Sequence, residues 1–182
     1  YDDVMNKQRE IVYGLRGKVL STDEPQPYLL DMMDEALEVQ VLNFIADPEH
    51  GKGLLVDWMN MNFPVGFQAD EFDQAWPNGE DVFEVLSSRV RKAYELKAAG
   101  EDPESLPGLE RYIVLSTIDH HWQEFLRNMD GLRQGIGLMG IGQRDPLVEF
   151  KREAYEMFED LMSLINGEVA QKAFRMHTSP EA

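Results

Sequence analysis

The chain has 182 residues, 43% of them hydrophobic, no cysteine and a formal net charge of −17. That length and apolar content suffice for one large core or two small ones and exclude a disordered tail, while the missing thiols exclude disulfides, thiolate catalysis and thiolate metal sites. The carboxylate surplus excludes a general electrostatic grip on nucleic acid, which needs clustered Lys and Arg. The chain has neither an apolar run of membrane-spanning length nor a signal-peptide pattern, so the cytosol is the expected compartment.

Taken in order, the segments predict helices and no strand. Residues 1–20 carry Val4, Ile11, Val12, Leu15 and Val19 at helical spacing, although Gly14 and Gly17 each cost about 1 kcal/mol against alanine inside a helix. The run STDEPQP at 21–27 predicts a turn, because its two prolines remove donors and disfavour helix before them. Residues 29–46 read as a helix with Leu30, Met33, Leu37, Val41, Phe44 and Ile45 inward, ended by Asp47-Pro48 and the glycines Gly51 and Gly53. A shorter helix over 54–62 precedes an irregular stretch, 63–79, whose Phe67, Phe72 and Trp76 are expected to plug onto the helices. Asn78 to Asp81 then offer a polar start for a helix over 82–99. Between 100 and 108, GEDPESLPG has the prolines, glycines and acids of a linker.

Two long amphipathic helices follow. Leu115, Ile118, Trp122, Phe125, Met129, Leu132, Ile136 and Met139 alternate by three and four, which keeps one stripe on one helix face. Leu147, Phe150, Ala154, Met157, Phe158, Leu161, Leu164 and Ile165 rebuild a matching stripe after a glycine-rich tip. The first arm, over about residues 109–138, would be roughly 45 Å long, more than a small globular domain needs. A hairpin that presents a small loop far from its body is suited to touching something.

The charge is uneven. Between residues 21 and 88, Lys52 stands against fifteen acids, whereas residues 126–152 hold five basic and three acidic side chains, so the tip region is locally positive. The acidic block reads first as a solvated surface.

Several motif matches are weak. GIGLMG, with Gly135, Gly137 and Gly140, is a literal GxGxxG, but no strand precedes it, and glycines that let the chain reverse are the simpler reading. Asp119, His120 and His121 lie together, yet adjacent histidines point about 100° apart on a helix and are read as solvated surface rather than a metal site. His50 and His177 fall in loop and tail, without the context of a Ser/His/Asp triad. Met129, Met157 and Met162, on or beside the stripes, are read as core filling rather than as an adaptable binding surface. No catalytic, cofactor-binding or metal-ligating residue is assigned.

Two runs carry a family resemblance. YDDVMNKQRE, continuing through IVYGLRGKVL, resembles the long scaffold helix of SecA, the ATP-driven motor of bacterial preprotein translocation, and LRQGIGLMGIGQRDPLVEFKREAYEMF at 132–158 resembles that family's two-helix finger. The acidic stretch between them is similar to the helical wing domain in length and character. The resemblance implies an all-α fold: scaffold helix over 1–27, helical wing over 28–108, two-helix finger over 109–176 and a tail over 177–182. It implies the carboxy-proximal helical part of a larger translocase, whose absent motor domains bind ATP and Mg2+; this chain has no GxxxxGK[ST] phosphate loop and is expected to need no cofactor and hydrolyse nothing.

The family's finger enters the mouth of the SecYEG channel, where its loop meets the unfolded preprotein. By resemblance that loop is Met139, Gly140, Ile141, Gly142, Gln143 and Arg144, with Ile141 where the family commonly has tyrosine or another bulky side chain. Arg9 corresponds to a scaffold-helix arginine that reaches the motor domains, and Trp122 to a finger tryptophan, with Phe125 expected to pack beside it. Partners implied are SecYEG, preproteins, the parent's own motor domains, an anionic membrane surface through the parent, and a second copy in a homodimer, with no nucleic acid. The implied location is the cytoplasmic face of the plasma membrane, peripherally bound. The alternative from the residues alone is a stand-alone acidic helical adaptor or chaperone-like binding module.

Overall fold

The computed structural model describes residues 1–139 and 145–179. Among them are six α-helices, α1 (Asp2–Ser21), α2 (Gln26–Ile45), α3 (Gly51–Asn62), α4 (Gly79–Ala99), α5 (Leu106–Met139) and α6 (Pro146–Arg175), one 3-10 turn at Ala69–Phe72, and no strand. The fold is all-α, in agreement with the periodicity. No helix among the described residues is long and apolar enough to cross a membrane.

Proline placement moves two of the predicted boundaries. The sequence suggests that Pro27 and Pro107 lie outside helices, but Pro27 sits in the first turn of α2 and Pro107 is the second residue of α5. A first-turn N–H has no intrahelical acceptor, so a proline there loses nothing and arrives with φ already helical. The turn after α1 and the linker before α5 are correspondingly shorter. Pro146 opens α6 in the same way, with the Leu147 N–H donating to Asp145 Oδ1 at 3.0 Å.

The chain divides into two compact units. One comprises Tyr1–Asp23 and Val114–Ile165; the other comprises Glu24–Ile113 and the chain from Asn166 onward. Helices α5 and α6 each contribute to both.

In the second unit α2 packs on α4 and on α3. Its core includes Leu29, Met33 and Leu37 of α2, Leu55 and Met59 of α3, and Val82, Leu86 and Val90 of α4. Each fully buried Leu or Val contributes about 1.5–3 kcal/mol of transfer free energy. Helix α3 begins at Gly51, three residues before the predicted start, because the end of α2 closes on it: a Cβ there would lie 1.8 Å from the Phe44 carbonyl oxygen. Phe67 and Phe72 are buried and stacked at 5.1 Å, with the Arg89 guanidinium 4.6 Å from the Phe67 ring. Trp76, half-buried, donates its indole N–H to the Pro48 carbonyl at 2.8 Å. Helix α4 is capped as its sequence suggests, Asn78 Oδ1 accepting from the Asp81 N–H at 3.0 Å. Within the acidic stretch some carboxylates are structural: Arg91 donates to Asp34 and Asp31, Ser87 donates to Asp34 at 2.6 Å, and Lys52 pairs with Asp73 at 2.8 Å.

Two polar clusters hold the ends of the long helices in this unit. Tyr94 is buried and donates its hydroxyl to buried Glu110 at 2.5 Å, while Gln26 Nε2 donates to the same carboxylate oxygen at 3.0 Å. Burial, followed by the bond to Glu110, pushes the Tyr94 phenol far above its ordinary range. Phe174 of α6 meets Phe63 at 5.6 Å and Tyr94 at 5.8 Å, both edge-on. The residues after α6 are strapped to the α4–α5 connection: the Thr178 hydroxyl and N–H donate to Glu101 Oε2 at 2.6 and 2.8 Å, His177 Nδ1 lies 2.6 Å from Glu101 Oε1, and Lys97 donates to the Met176 carbonyl at 2.5 Å.

The Thr178 hydroxyl, outweighing desolvation and helped by the Thr178 N–H, His177 and Lys97, draws the Glu101 carboxyl down to about 2. A depressed carboxyl stabilises the fold above its ordinary pKa, and that contribution disappears as pH falls from about 4.5 towards 2. Glu101→Gln should therefore cost about 2 kcal/mol at pH 6. In denaturant melts at stepped pH, the difference from the unmodified chain should shrink below pH 4.5 and vanish near pH 2. A difference that does not change with pH would show that the strap does not depend on the charge.

Candidate functional site: the helical hairpin

The first unit is three helical segments in register. Along α1, Tyr1 meets Phe150 edge-on at 4.5 Å, Gln8 Nε2 donates to the Ala154 carbonyl at 3.2 Å, Tyr13 meets Trp122 at 5.9 Å, and Arg16 forks onto Asp119 at 2.8 and 3.2 Å. Rising numbers on α1 meet rising numbers on α6 and falling numbers on α5, so α5 and α6 run antiparallel, with α1 parallel to α6. Asp2 pairs with Arg133 at 3.3 Å, and the Arg133 guanidinium lies 5.5 Å from the Tyr1 ring, so the start of α1 lies towards the tip of the hairpin.

The apolar stripes form the core between these segments. Ile118, Trp122, Phe125, Met129 and Ile136 of α5 are buried, as are Phe150, Ala154, Phe158, Leu161 and Ile165 of α6. Trp122 and Phe125 stack at 5.3 Å, and Phe125 reaches Phe158 across the hairpin at 5.9 Å. Three residues read as inward do not go inside: Ile11 of α1 and Leu147 and Leu164 of α6 are exposed. Leu147 is in the first turn of α6, before α1 covers the hairpin at Phe150, and together with Leu138 and Val148 it leaves apolar surface on the helix ends flanking the tip.

Of the loop residues that the resemblance singles out, Gly140, Ile141, Gly142, Gln143 and Arg144 lie outside the described residues, and Met139 is the last residue of α5. Gly135 and Gly137 are helical residues of α5 rather than parts of a reversing loop, and Gly140 lies outside the described residues. A GxGxxG that begins inside a helix lacks the helix N-terminus on which a pyrophosphate would sit. Arg9 is exposed on α1 and has no side-chain partner among the described residues.

The histidine pair differs from its sequence reading. His121 is buried rather than solvated, and the two rings meet edge-on at 4.9 Å. With Glu124, one turn after His120, they bring three potential ligand atoms within 4.8 Å of one another. The 100° between adjacent Cα–Cβ directions is offset by the reach of the imidazoles, and the sequence signal for this grouping is the i, i+4 spacing of His120 and Glu124. His121 and Glu124 also line a groove of about 230 Å³ between α5 and α6, with Phe125, Leu161 and Leu164 as its apolar wall and Asp160 opposite.

The model for the SecA Wing and Scaffold domain matches residues 1–177. The chain is 34% identical over its full length to the protein translocase subunit SecA of Geobacter metallireducens, covering 21% of that protein. It is 35% identical to the SecA subunit of Geotalea uraniireducens, again over its full length and 21% of the relative. Against the SecA subunit of Pelotomaculum thermopropionicum it is 35% identical over 97% of the chain and 20% of the relative. The chain thus spans about a fifth of the length of these relatives. A match across both units, carried on an all-helical fold, assigns the chain to the SecA family, as the wing and scaffold domain of a protein translocase subunit.

Proposed function

We propose that this chain transmits the stroke of an ATP-driven preprotein motor to the moving polypeptide, with the tip of the α5–α6 hairpin as the contacting element at the SecYEG channel. The observation that carries the reading is the apolar surface at the hairpin's end: Leu138 is 80% exposed and Val148 60% exposed, on either side of the tip, in helices whose other faces are packed. Exposed apolar side chains beside a short loop suit brief, sequence-tolerant contact with unfolded chain better than one tight complex. The basic residues of that region, Arg127, Arg133, Arg144, Lys151 and Arg152, are set on an otherwise acidic chain.

The remaining roles follow from that placement. ATP and Mg2+ act in motor domains that belong to the rest of a SecA subunit, and exposed Arg9 on α1 is the contact through which they press on the scaffold. The acidic surface of the second unit keeps the assembly soluble beside the cytoplasmic face of the membrane, which is reached through the parent protein. Packing of α1 along both arms makes the hairpin a strut, so movement at α1 arrives at residues 139–144.

A photoreactive residue at position 141 of the complete subunit tests the contact. With SecYEG vesicles, ATP and a preprotein stalled in transit, position 141 should cross-link to the preprotein, whereas the same probe at exposed Met61 in the second unit should not. Cross-linking from position 61 and none from position 141 would move the substrate contact away from the hairpin.

A further inference from the structure

We propose that His120, His121 and Glu124 of α5 form a site for a divalent transition metal of the zinc class, with Asp160 of α6 as a fourth ligand. Two imidazoles and two carboxylates are a donor set that Zn2+ accepts in a tetrahedron, with Zn–N bonds of about 2.0–2.1 Å. Such bonds hold neighbouring donors about 3.4 Å apart. The three α5 donors already lie within 4.8 Å of one another, and His120 and Glu124 are exposed side chains whose rotamers are free to close the remaining distance. His120 and Glu124 are one turn apart, and His121 and Glu124 are three residues apart, so around the helix axis the Glu124 position falls between those of the two histidines, one turn further along.

The groove supplies the second argument. His121 and Glu124 line it from α5 and Asp160 lines it from α6, so an ion held by the α5 donors faces a carboxylate across the hairpin. The apolar wall of Phe125, Leu161 and Leu164 lowers the local dielectric and strengthens attraction between cation and carboxylates. A bound ion would tie α5 to α6 on the side of the hairpin where Phe125 packs, stiffening the strut without touching its tip. The other two histidines are placed differently: His50 lies 3.2 Å from Asp47 in the α2–α3 connection, and His177 belongs to the Glu101 strap.

Zn2+ titration of the 182-residue chain against a chromophoric chelator tests the site, with the melting temperature followed in parallel. One Zn2+ should bind per chain with a dissociation constant on the order of micromolar, and saturation should raise the melting temperature, as binding to the folded state alone requires. His120→Ala and Glu124→Gln, both at exposed positions that leave the packing intact, should each weaken binding at least tenfold, and Asp160→Asn should weaken it severalfold. The double variant His50→Ala/His177→Ala should bind as the unmodified chain does. Absence of saturable binding, or binding that survives His120→Ala and Glu124→Gln, overturns the site. Unchanged affinity in Asp160→Asn overturns the bridge to α6.

Discussion

Phe125→Ala should cost the chain about 3–5 kcal/mol, the largest stability loss expected from one substitution in the hairpin. Phe125 is 4% exposed, stacks on Trp122 within α5 and reaches Phe158 on α6, so it joins the two arms at their shared core. Alanine would remove the ring from both contacts and leave a cavity between α5 and α6, with α1 fixed nearby by Tyr13 on Trp122 and Arg16 on Asp119. Helices packed in register cannot collapse into such a space without shifting every contact along them, so most of the cavity term persists. In urea, with a slope of about 2 kcal/mol per molar, the midpoint should fall by about 1.5–2.5 M. Trp122 is the tryptophan of this unit, and its fluorescence reports the unit once Trp58 and Trp76 of the second unit are replaced by phenylalanine. A loss below about 1 kcal/mol would mean that the stripe is not the joint between the arms.

The main helices were legible because burial follows one rule along them. A stripe spaced by three and four from Ile118 to Ile136 has one apolar face, and that face is buried wherever a neighbour covers it. The rule fails where cover runs out: Leu147 fits the period, but it precedes the first α1 contact on α6, at Phe150. Periodicity describes one helix and contains nothing about the length of its partner. Proline and glycine misled for a related reason. Pro27 and Pro107 break a helix only where an N–H is needed, and the first turn needs none, while Gly135 and Gly137 are carried by a helix long enough to absorb their cost.

The candidate site was legible to different depths. The tip came from two matched runs of sequence, not from any pattern that physics alone assigns to polypeptide contact, and the exposed helix ends around it emerged only with the fold. The histidine pair reads from the sequence as solvated surface, but His121 is buried, and Glu124, one turn on from His120, is the neighbour that helical geometry adds to the pair. The Glu101 strap had no sequence signal, because it joins the α4–α5 connection to residues 77 positions away.

The second large effect concerns transport. Ile141 stands between Gly140 and Gly142, beyond the last residue of α5 and before the Asp145-Pro146 start of α6, and with Met139 it is one of the two large apolar side chains in residues 139–144. If this side chain is the working contact, removing it should uncouple the motor from its cargo. In the complete subunit, Ile141→Gly should lower the amount of preprotein moved into SecYEG vesicles per ATP hydrolysed by several-fold, while Ile141→Tyr, which restores bulk, should transport as the unmodified protein does. The most direct measurement is therefore the ratio of preprotein imported to ATP consumed, taken for Ile141→Gly and Ile141→Tyr side by side at equal melting temperature. A fall in that ratio for glycine and not for tyrosine is the result expected of a hairpin that works through its tip; an unchanged ratio for glycine would contradict it and leave the hairpin as scaffold alone.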